Sequence, residues 1–563
     1  ASSAASDVYK RQLMNDLALK TLEPRELRLN TISLRGFYGK KLRKGSGGGS
    51  SDGFPQLPGD VTRWHFGGLT NEMMAAMDDP RIEDADHKGR FLSFKNFAWG
   101  GMSGVGGYGD ENHLTFYKFT LDDYILIASP PRVKHMNFTF RVTGLQPGNK
   151  LTLAFFGTTN TIYGTWDKDG IYTVDADIVE AGKPAYFYNG YGATRGEFTI
   201  EILPLYPGAL VFDGVDDYGA CDNFPILTKE KGYTVVALRQ WITYNPNAIS
   251  AIATNASDQS FNGAFTFENY NKGAEQTISY GATQISLQYS KSPFSWQTTS
   301  KYNGFNIANG NKDATNSLVL GRSYPQRNEF ANFAIWELVF LDHDATEEEL
   351  TKIKDYFVKT YPWLFPDQAW TVTGKTNEDE DRATIANITG NGNNLVLSNL
   401  GFAEGSGYNE EGEYAGYLVT DGVDDMITSS AFNLGKDFTI VGDWKFIDNK
   451  KSGTGLVKGS SFYIYNTKIG LDLYINSGSV RNSLDGIKSI NAACSDGRAY
   501  DRNWNEILAN TGNVVGSGGT LEVSSSGGRF DRIAFKNLAI YPRILSKDDC
   551  IKAYNYLQTL KAK

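Results

Sequence analysis

The chain has little of what metal and redox chemistry is built from. Its 563 residues include three cysteines, Cys221, Cys494 and Cys550, and five histidines, His65, His87, His113, His135 and His343. Cysteines odd in number and far apart indicate no disulfide framework. None of the histidines stands in a metal-ligand pattern. No run of about 18 apolar residues exists, so no helical membrane span is expected. No glycine-rich loop follows a strand and opens a helix, which excludes the usual phosphate cradle. Positive charge is also scarce outside one stretch. Net charge is −9; residues 1–45 hold ten Lys/Arg and four Asp/Glu, a net of +6, which leaves −15 for the rest. The bulk is therefore a poor nucleic-acid binder, because such binding needs phosphates neutralised.

What the chain does have is aromatic residues at 13% and 60 glycines, a composition suited to many short strands joined by tight turns. It also repeats itself. Leu210-Val-Phe-Asp-Gly-Val-Asp-Asp217 returns as Leu418-Val-Thr-Asp-Gly-Val-Asp-Asp425. Downstream, Tyr233-Thr-Val-Val236 with Trp241 is matched to Phe438-Thr-Ile-Val441 with Trp444. Each copy closes with an apolar strand, Phe333 through Leu338 and Ile533 through Leu538, and then a short helix. Thr346-x-x-Glu349 and Ser546-x-x-Asp549 read as capping boxes that open those helices. Upstream, Trp64 followed by Thr70-Asn-Glu72 matches Trp370 followed by Thr376-Asn-Glu378. Trp370 and Asp421 are about 50 residues apart, whereas Trp64 and Asp213 are about 150 apart; the excess of about 100 is one small domain. The first copy is thus expected to be split by an insertion.

These motifs, with Asn387-Ile-Thr-Gly-Asn-Gly-Asn393 before the second acidic element, resemble the laminin-G-like, concanavalin-A-like β-sandwich family over about two-thirds of the chain. The resemblance implies jelly-roll sandwiches and, often, glycan or protein binding. The chain is also similar to multi-module proteins of Bacteroidales phages and prophages, where such sandwiches decorate virions.

The expected fold is all-β: two concanavalin-A-like jelly-roll sandwiches, the first interrupted by a small β-sandwich, after a basic leader. Residues 1–13 are set aside, because Asp7 to Gln12 reads as the translated end of a sequencing transposon. Residues 14–60 form the basic leader and a Gly/Ser linker. The first sandwich takes 61–110 plus 207–364, the insert 111–206, and the second sandwich 365–563. The leader is read first as a solvated tail and otherwise as a dock for an acidic virion partner. Met14 opens no signal peptide, so the expected location is a virion, or the host cytoplasm before assembly.

Two kinds of site are candidates. Asp216, Asp217, Asp424 and Asp425 could offer oxygens to calcium. The favoured alternative is a tight Asp-Gly turn whose acidic residues bond backbone N–H groups, since nothing at fixed spacing completes a ligand set. No other cofactor is indicated. Glycans would be held by exposed aromatic faces. Tyr163, Trp166, Tyr186, Tyr188 and Tyr191 in the insert, and Trp296 and Tyr302 in the first sandwich, qualify, with core or inter-domain packing as the competing role. Trp64, Trp370, Trp241 and Trp444 recur in repeat positions and are assigned to the core. Enzymes on this sandwich commonly use Glu-x-Asp-x-Glu, which sets acid and nucleophile on one strand face. That motif is absent, and Glu83 to Asp86 and Glu378 to Asp381 have the wrong spacing. The expectation is a non-enzymatic, multivalent virion appendage, a fibre or decoration, that recognises host surface glycans. A bacterial adhesin is second and a glycan-cleaving hydrolase third.

Overall fold

The computed structural model describes residues 52–99, 135–155, 161–177, 198–225, 329–390, 392–433, 435–448, 490–508, 518–526 and 529–562, and between these the short segments around the strands given below. The chain is all-β, and its strands pair almost entirely antiparallel. Among the described residues each of the first sandwich, the insert and the second sandwich has its own large hydrophobic cluster, and the second sandwich has a smaller one of Tyr417, Val419 and Ala534.

The first sandwich draws on both sides of the insert. One sheet runs Trp296–Thr299, Thr283–Leu287, Thr234–Thr243, Asn332–Leu341, Leu210–Asp213 and Gly104–Val105, with Val61–His65 also paired to Asn332–Leu341. The facing sheet runs Ala274–Ser279, Phe265–Tyr270, Ser250–Thr254, Leu318–Leu320, Tyr218–Cys221, Phe91–Lys95 and Arg81–Glu83. Residues 61–105 therefore pair directly with 210–341. The second sandwich is built alike, from two eight-stranded sheets. Equivalent residues meet equivalent partners: Trp64 lies opposite Leu338, and Trp370 opposite Leu538. The insert is two four-stranded sheets. One runs Gly170–Asp177, His135–Thr143, Phe198–Leu203 and Phe119–Leu121; the other runs Tyr124–Ile127, Ala185–Asn189, Leu151–Phe155 and Thr161–Trp166.

The long strand before each helix carries the core. All ten residues of Asn332–Leu341 are buried, because one face meets the sandwich interior and helix Glu347–Thr360 packs on the other side through Ile353, Tyr356 and Phe357. A bulge at Trp336 recurs at Lys536, so each sandwich bends at the same place. The register also corrects one sequence match. Trp241 lies opposite Phe333 and Phe446 opposite Ile533, so Trp241 corresponds to Phe446. The place of Trp444, opposite Phe535, is held in the first sandwich by Arg239, opposite Ile335. Matching the two tryptophans by type alone misplaces the pairing by two residues, one full strand period.

The first helix has the full capping box: Thr346 accepts from the Glu349 N–H, and the Glu349 carboxylate accepts from the Thr346 N–H at 2.7 Å. At the second helix, Lys547–Leu557, Ser546 caps the Asp549 N–H, but the Asp549 carboxylate takes the Ser546 hydroxyl at 2.7 Å. Aspartate is one methylene shorter than the Glu or Gln that closes the reciprocal bond.

The two sandwiches are joined across the second helix. Lys552 lies 4.3 Å from the centre of the Trp363 ring, and the Tyr556 ring meets Trp336 edge-on at 6.1 Å. Tyr541 donates its hydroxyl to the Trp363 carbonyl at 2.8 Å. Trp336 in turn donates its indole N–H to Pro207, in the segment that leaves the insert.

Candidate binding sites

The repeated acidic turns are near-copies of one another. Asp213 closes strand Leu210–Asp213, and Gly214 follows at φ +76°; Gly422 holds the same place at φ +74°. Positive φ excludes most side chains there. In the first turn Asp213 Oδ1 accepts from the Val215 N–H at 2.8 Å, and Asp217 Oδ2 accepts from the Asp213 N–H at 3.1 Å. In the second, Asp421 Oδ1 accepts from Val423 at 2.7 Å and Asp425 Oδ2 from the Asp421 N–H at 2.7 Å. A left-handed asparagine reaches across to each: Asn96 Nδ2 donates to the Asp216 carbonyl at 2.9 Å, and Asn399 Nδ2 to the Asp424 carbonyl at 3.0 Å. Val215 and Val423 stand exposed at the two tips.

The candidate oxygens for a cation do come together. Asp213, Asp216 and Asp217 place one oxygen each within 4.8 Å of one another, as do Asp421, Asp424 and Asp425. Burial pushes the Asp425 carboxyl above the usual range, with its acidic neighbours adding to the shift and hydrogen bonds from the Asp421 N–H and Ser406 opposing it. Backbone N–H groups already use Asp213, Asp217, Asp421 and Asp425, and that is the chemistry of a locked turn. Asp216 and Asp424 are the exposed members of each group.

The aromatic candidates fall in different places. Tyr163 and Trp166 lie on strand Thr161–Trp166, half-buried against the insert core. The Trp166 ring sits 4.9 Å from Phe140 and 5.5 Å from Tyr172, so much of it is taken by packing. Gly164 makes room for it, since a Cβ there would fall 2.5 Å from the indole. Tyr186 and Tyr188 flank the buried Phe187 on Ala185–Asn189, a central strand of the same sheet. Trp296 begins Trp296–Thr299 at the edge of a first-sandwich sheet. Tyr191 and Tyr302 lie outside the described residues.

One constellation was not legible in the sequence. Arg63 and His65 on the first strand, Glu337 on the long strand, Tyr356 on the helix and Tyr361 beyond it converge beneath that helix. His65 Nδ1 lies 2.5 Å from Glu337 Oε1, and Tyr361 donates to the same oxygen at 2.9 Å. Arg63 pairs with Glu337 Oε2 at 3.4 Å, with both side chains fully buried. Burial and the nearby Glu337 push the Tyr361 phenol well up. Gly67 leaves the imidazole edge open, because a Cβ there would come within 2.9 Å of the ring. The second sandwich puts Ala369, Thr371 and Asn537 at the places of Arg63, His65 and Glu337. His65 and Glu337 are 272 residues apart, so no local motif could reveal them.

No protein-family model and no curated protein matches the chain. Among solved structures it is similar to Trypanosoma rangeli sialidase, at 8% identity and TM-score 0.23, over 83% of this chain and 92% of that one. A mutant of that sialidase displaying trans-sialidase activity is similar at 8% identity and TM-score 0.27, over 70% and 69%. A botulinum neurotoxin type C structure, concerned with cell entry dependent on two ganglioside molecules, is similar at 7% identity and TM-score 0.20, over 59% and 87%. The expectation that the chain is not an enzyme is corrected by this finding, because the sialidases are enzymes. The expectation rested on the absence of a local motif, and side chains far apart in sequence can be brought together by the fold, as His65 and Glu337 are. Likeness at these TM-scores assigns neither a reaction nor a residue.

Proposed function

We propose that the chain binds glycans, with the inserted sandwich as its principal binding module. One observation carries this reading: in one four-stranded sheet of the insert Tyr188 stands directly opposite Tyr124 and two positions from Tyr186, on the register that alternates with the buried Phe187, while Tyr163 and Trp166 pack against the insert core. Flat aromatic rings cover the C–H faces of sugars, and hydroxyls beside them supply directional bonds. Trp166 gives part of its surface to the core, so Tyr186 and Tyr188 are the leading contacts. Such shallow sites bind with dissociation constants on the order of millimolar to micromolar. Firm attachment then needs several copies, because each later contact is made at high effective concentration.

The setting we propose is a phage or prophage virion appendage. Its support is the resemblance of the sandwich motifs and the basic stretch followed by Gly45-Ser-Gly-Gly-Gly-Ser-Ser51. Among the described residues no helix is long and apolar enough to cross a membrane. An array of bacterial surface polysaccharides probed with the intact, multimerised chain tests the binding reading. Signal confined to a defined glycan class is expected. An empty array at high valency would contradict it.

A further inference from the structure

The second acidic turn holds carboxylate oxygens that its own hydrogen bonds do not use. The turn joins strand Leu418–Val419, in one sheet of the second sandwich, to strand Met426–Ser429, in the facing sheet. Its backbone is locked by one oxygen from each of two aspartates. Asp421 Oδ1 takes the Val423 N–H, and Asp425 Oδ2 takes the Asp421 N–H and, at 2.9 Å, the Ser406 hydroxyl. Asp425 is fully buried, and its Oδ1 has no hydrogen-bond partner. A buried carboxylate oxygen that has given up water without gaining a donor is unfavourable, and a cation relieves it. Asp421, Asp424 and Asp425 each bring an oxygen to within 4.8 Å of the other two. No Lys or Arg among the described residues forms an ion pair with them, and burial together with Asp421 and Asp424 holds the Asp425 carboxyl above the usual range. Asp424 is exposed and its carboxylate takes no part in locking the turn, yet aspartate stands at that place in both copies.

We propose that Asp421, Asp424 and Asp425 bind a calcium ion, which clamps the two sheets of the second sandwich where the chain crosses between them. The locked turn and the ion do not compete. The turn uses Asp421 Oδ1 and Asp425 Oδ2, and the ion takes Asp425 Oδ1 with the carboxylates of Asp421 and Asp424. The donors are all carboxylate oxygens, which suit a hard cation, and no His or Cys in the group favours zinc or copper. Calcium accepts an irregular set of ligands and fills its remaining positions with water at the exposed Asp424 side. Magnesium demands a near-ideal octahedron and sheds water reluctantly, so it fits the turn less well. Three carboxylates with water put the affinity at the weak end of calcium sites, with a dissociation constant on the order of 0.1–1 mM. The ion stands apart from the glycan reading, since the turn lies in the second sandwich and not in the insert.

The test uses the full chain carrying Asp216→Asn, which removes the exposed acid of the first turn and leaves the second turn as it is. Thermal melting is compared in chelator, in calcium chloride and in magnesium chloride of equal ionic strength. Calcium at about ten times its dissociation constant should raise the melting temperature by about 2–5 °C over chelator, and magnesium by clearly less. Adding Asp424→Asn should remove the calcium shift. In chelator that variant should melt level with its parent or higher, because one of three crowded negative charges is gone. Calorimetric titration should count one calcium fewer per chain after that substitution. No shift with calcium would overturn the proposal. So would an equal shift with magnesium, or a calcium shift that survives Asp424→Asn.

Discussion

At the scale of residues, the acidic turns set strand register through backbone geometry. Gly422 has φ +74°, and a Cβ there would sit 3.0 Å from the Arg532 N–H. Gly422→Val should destabilise the second sandwich by about 1–3 kcal/mol, read as a lower denaturant midpoint. An unchanged midpoint would mean that the turn tolerates a different backbone. His343 provides a pH test. Burial lowers its pKa, but hydrogen bonds to Glu349 and Asp342 outweigh this and raise it. Glu349 is lowered: burial opposes the shift, while bonds from Thr346 and His343 favour it. The imidazolium's contribution is complete below its ordinary value of 6.5 and is lost as pH rises through the elevated folded value. The Glu349 contribution is complete above its ordinary 4.5 and is lost as pH falls through the depressed one. The pair thus stabilises most between those two values. His343→Asn should flatten the decline in melting temperature between pH 6 and 8; an undiminished decline would assign it to other groups.

At the scale of elements, the two helices are matched in place and unequal in their caps. Thr346 makes the reciprocal bond with Glu349, whereas Ser546 makes only the side-chain half. Thr346→Ala should cost about 1–2 kcal/mol and Ser546→Ala about 0.5–1 kcal/mol, compared by chemical denaturation. Equal costs would show that the returning carboxylate adds nothing. Both helix starts were legible, because hydroxyl and carboxylate lie three residues apart in the chain. The alternation and turn chemistry of the strands likewise gave an all-β reading. The correspondence of Trp241 with Phe446 was not legible, because it depends on cross-strand register. Arg239 at the place of Trp444 runs against the rule that repeats preserve core type. The aromatic candidates were legible as residues but not as a surface, since Trp166 is drawn into packing by Phe140 and Tyr172.

At the scale of the whole molecule, the sandwiches share a joint and should not unfold independently. Tyr541 bonds the Trp363 carbonyl, and Lys552 covers the Trp363 ring. Trp363→Ala should split a single calorimetric transition into two, with the second sandwich keeping most of its own stability; one unsplit transition would place the coupling elsewhere. The insert departs from and returns to the first sandwich, so a ligand held on it would be displayed from that sandwich. The proposed glycan binding depends on the aromatic residues of the insert's sheet. The decisive measurement compares glycan retention by the multimerised chain with that of a Tyr186→Ala/Tyr188→Ala variant of equal valency and unchanged melting temperature. The account predicts that the double variant loses retention by at least about tenfold, the equivalent of about 1.4 kcal/mol at a single site. Retention equal to the parent by a fully folded variant would contradict the placement of the binding site on the insert.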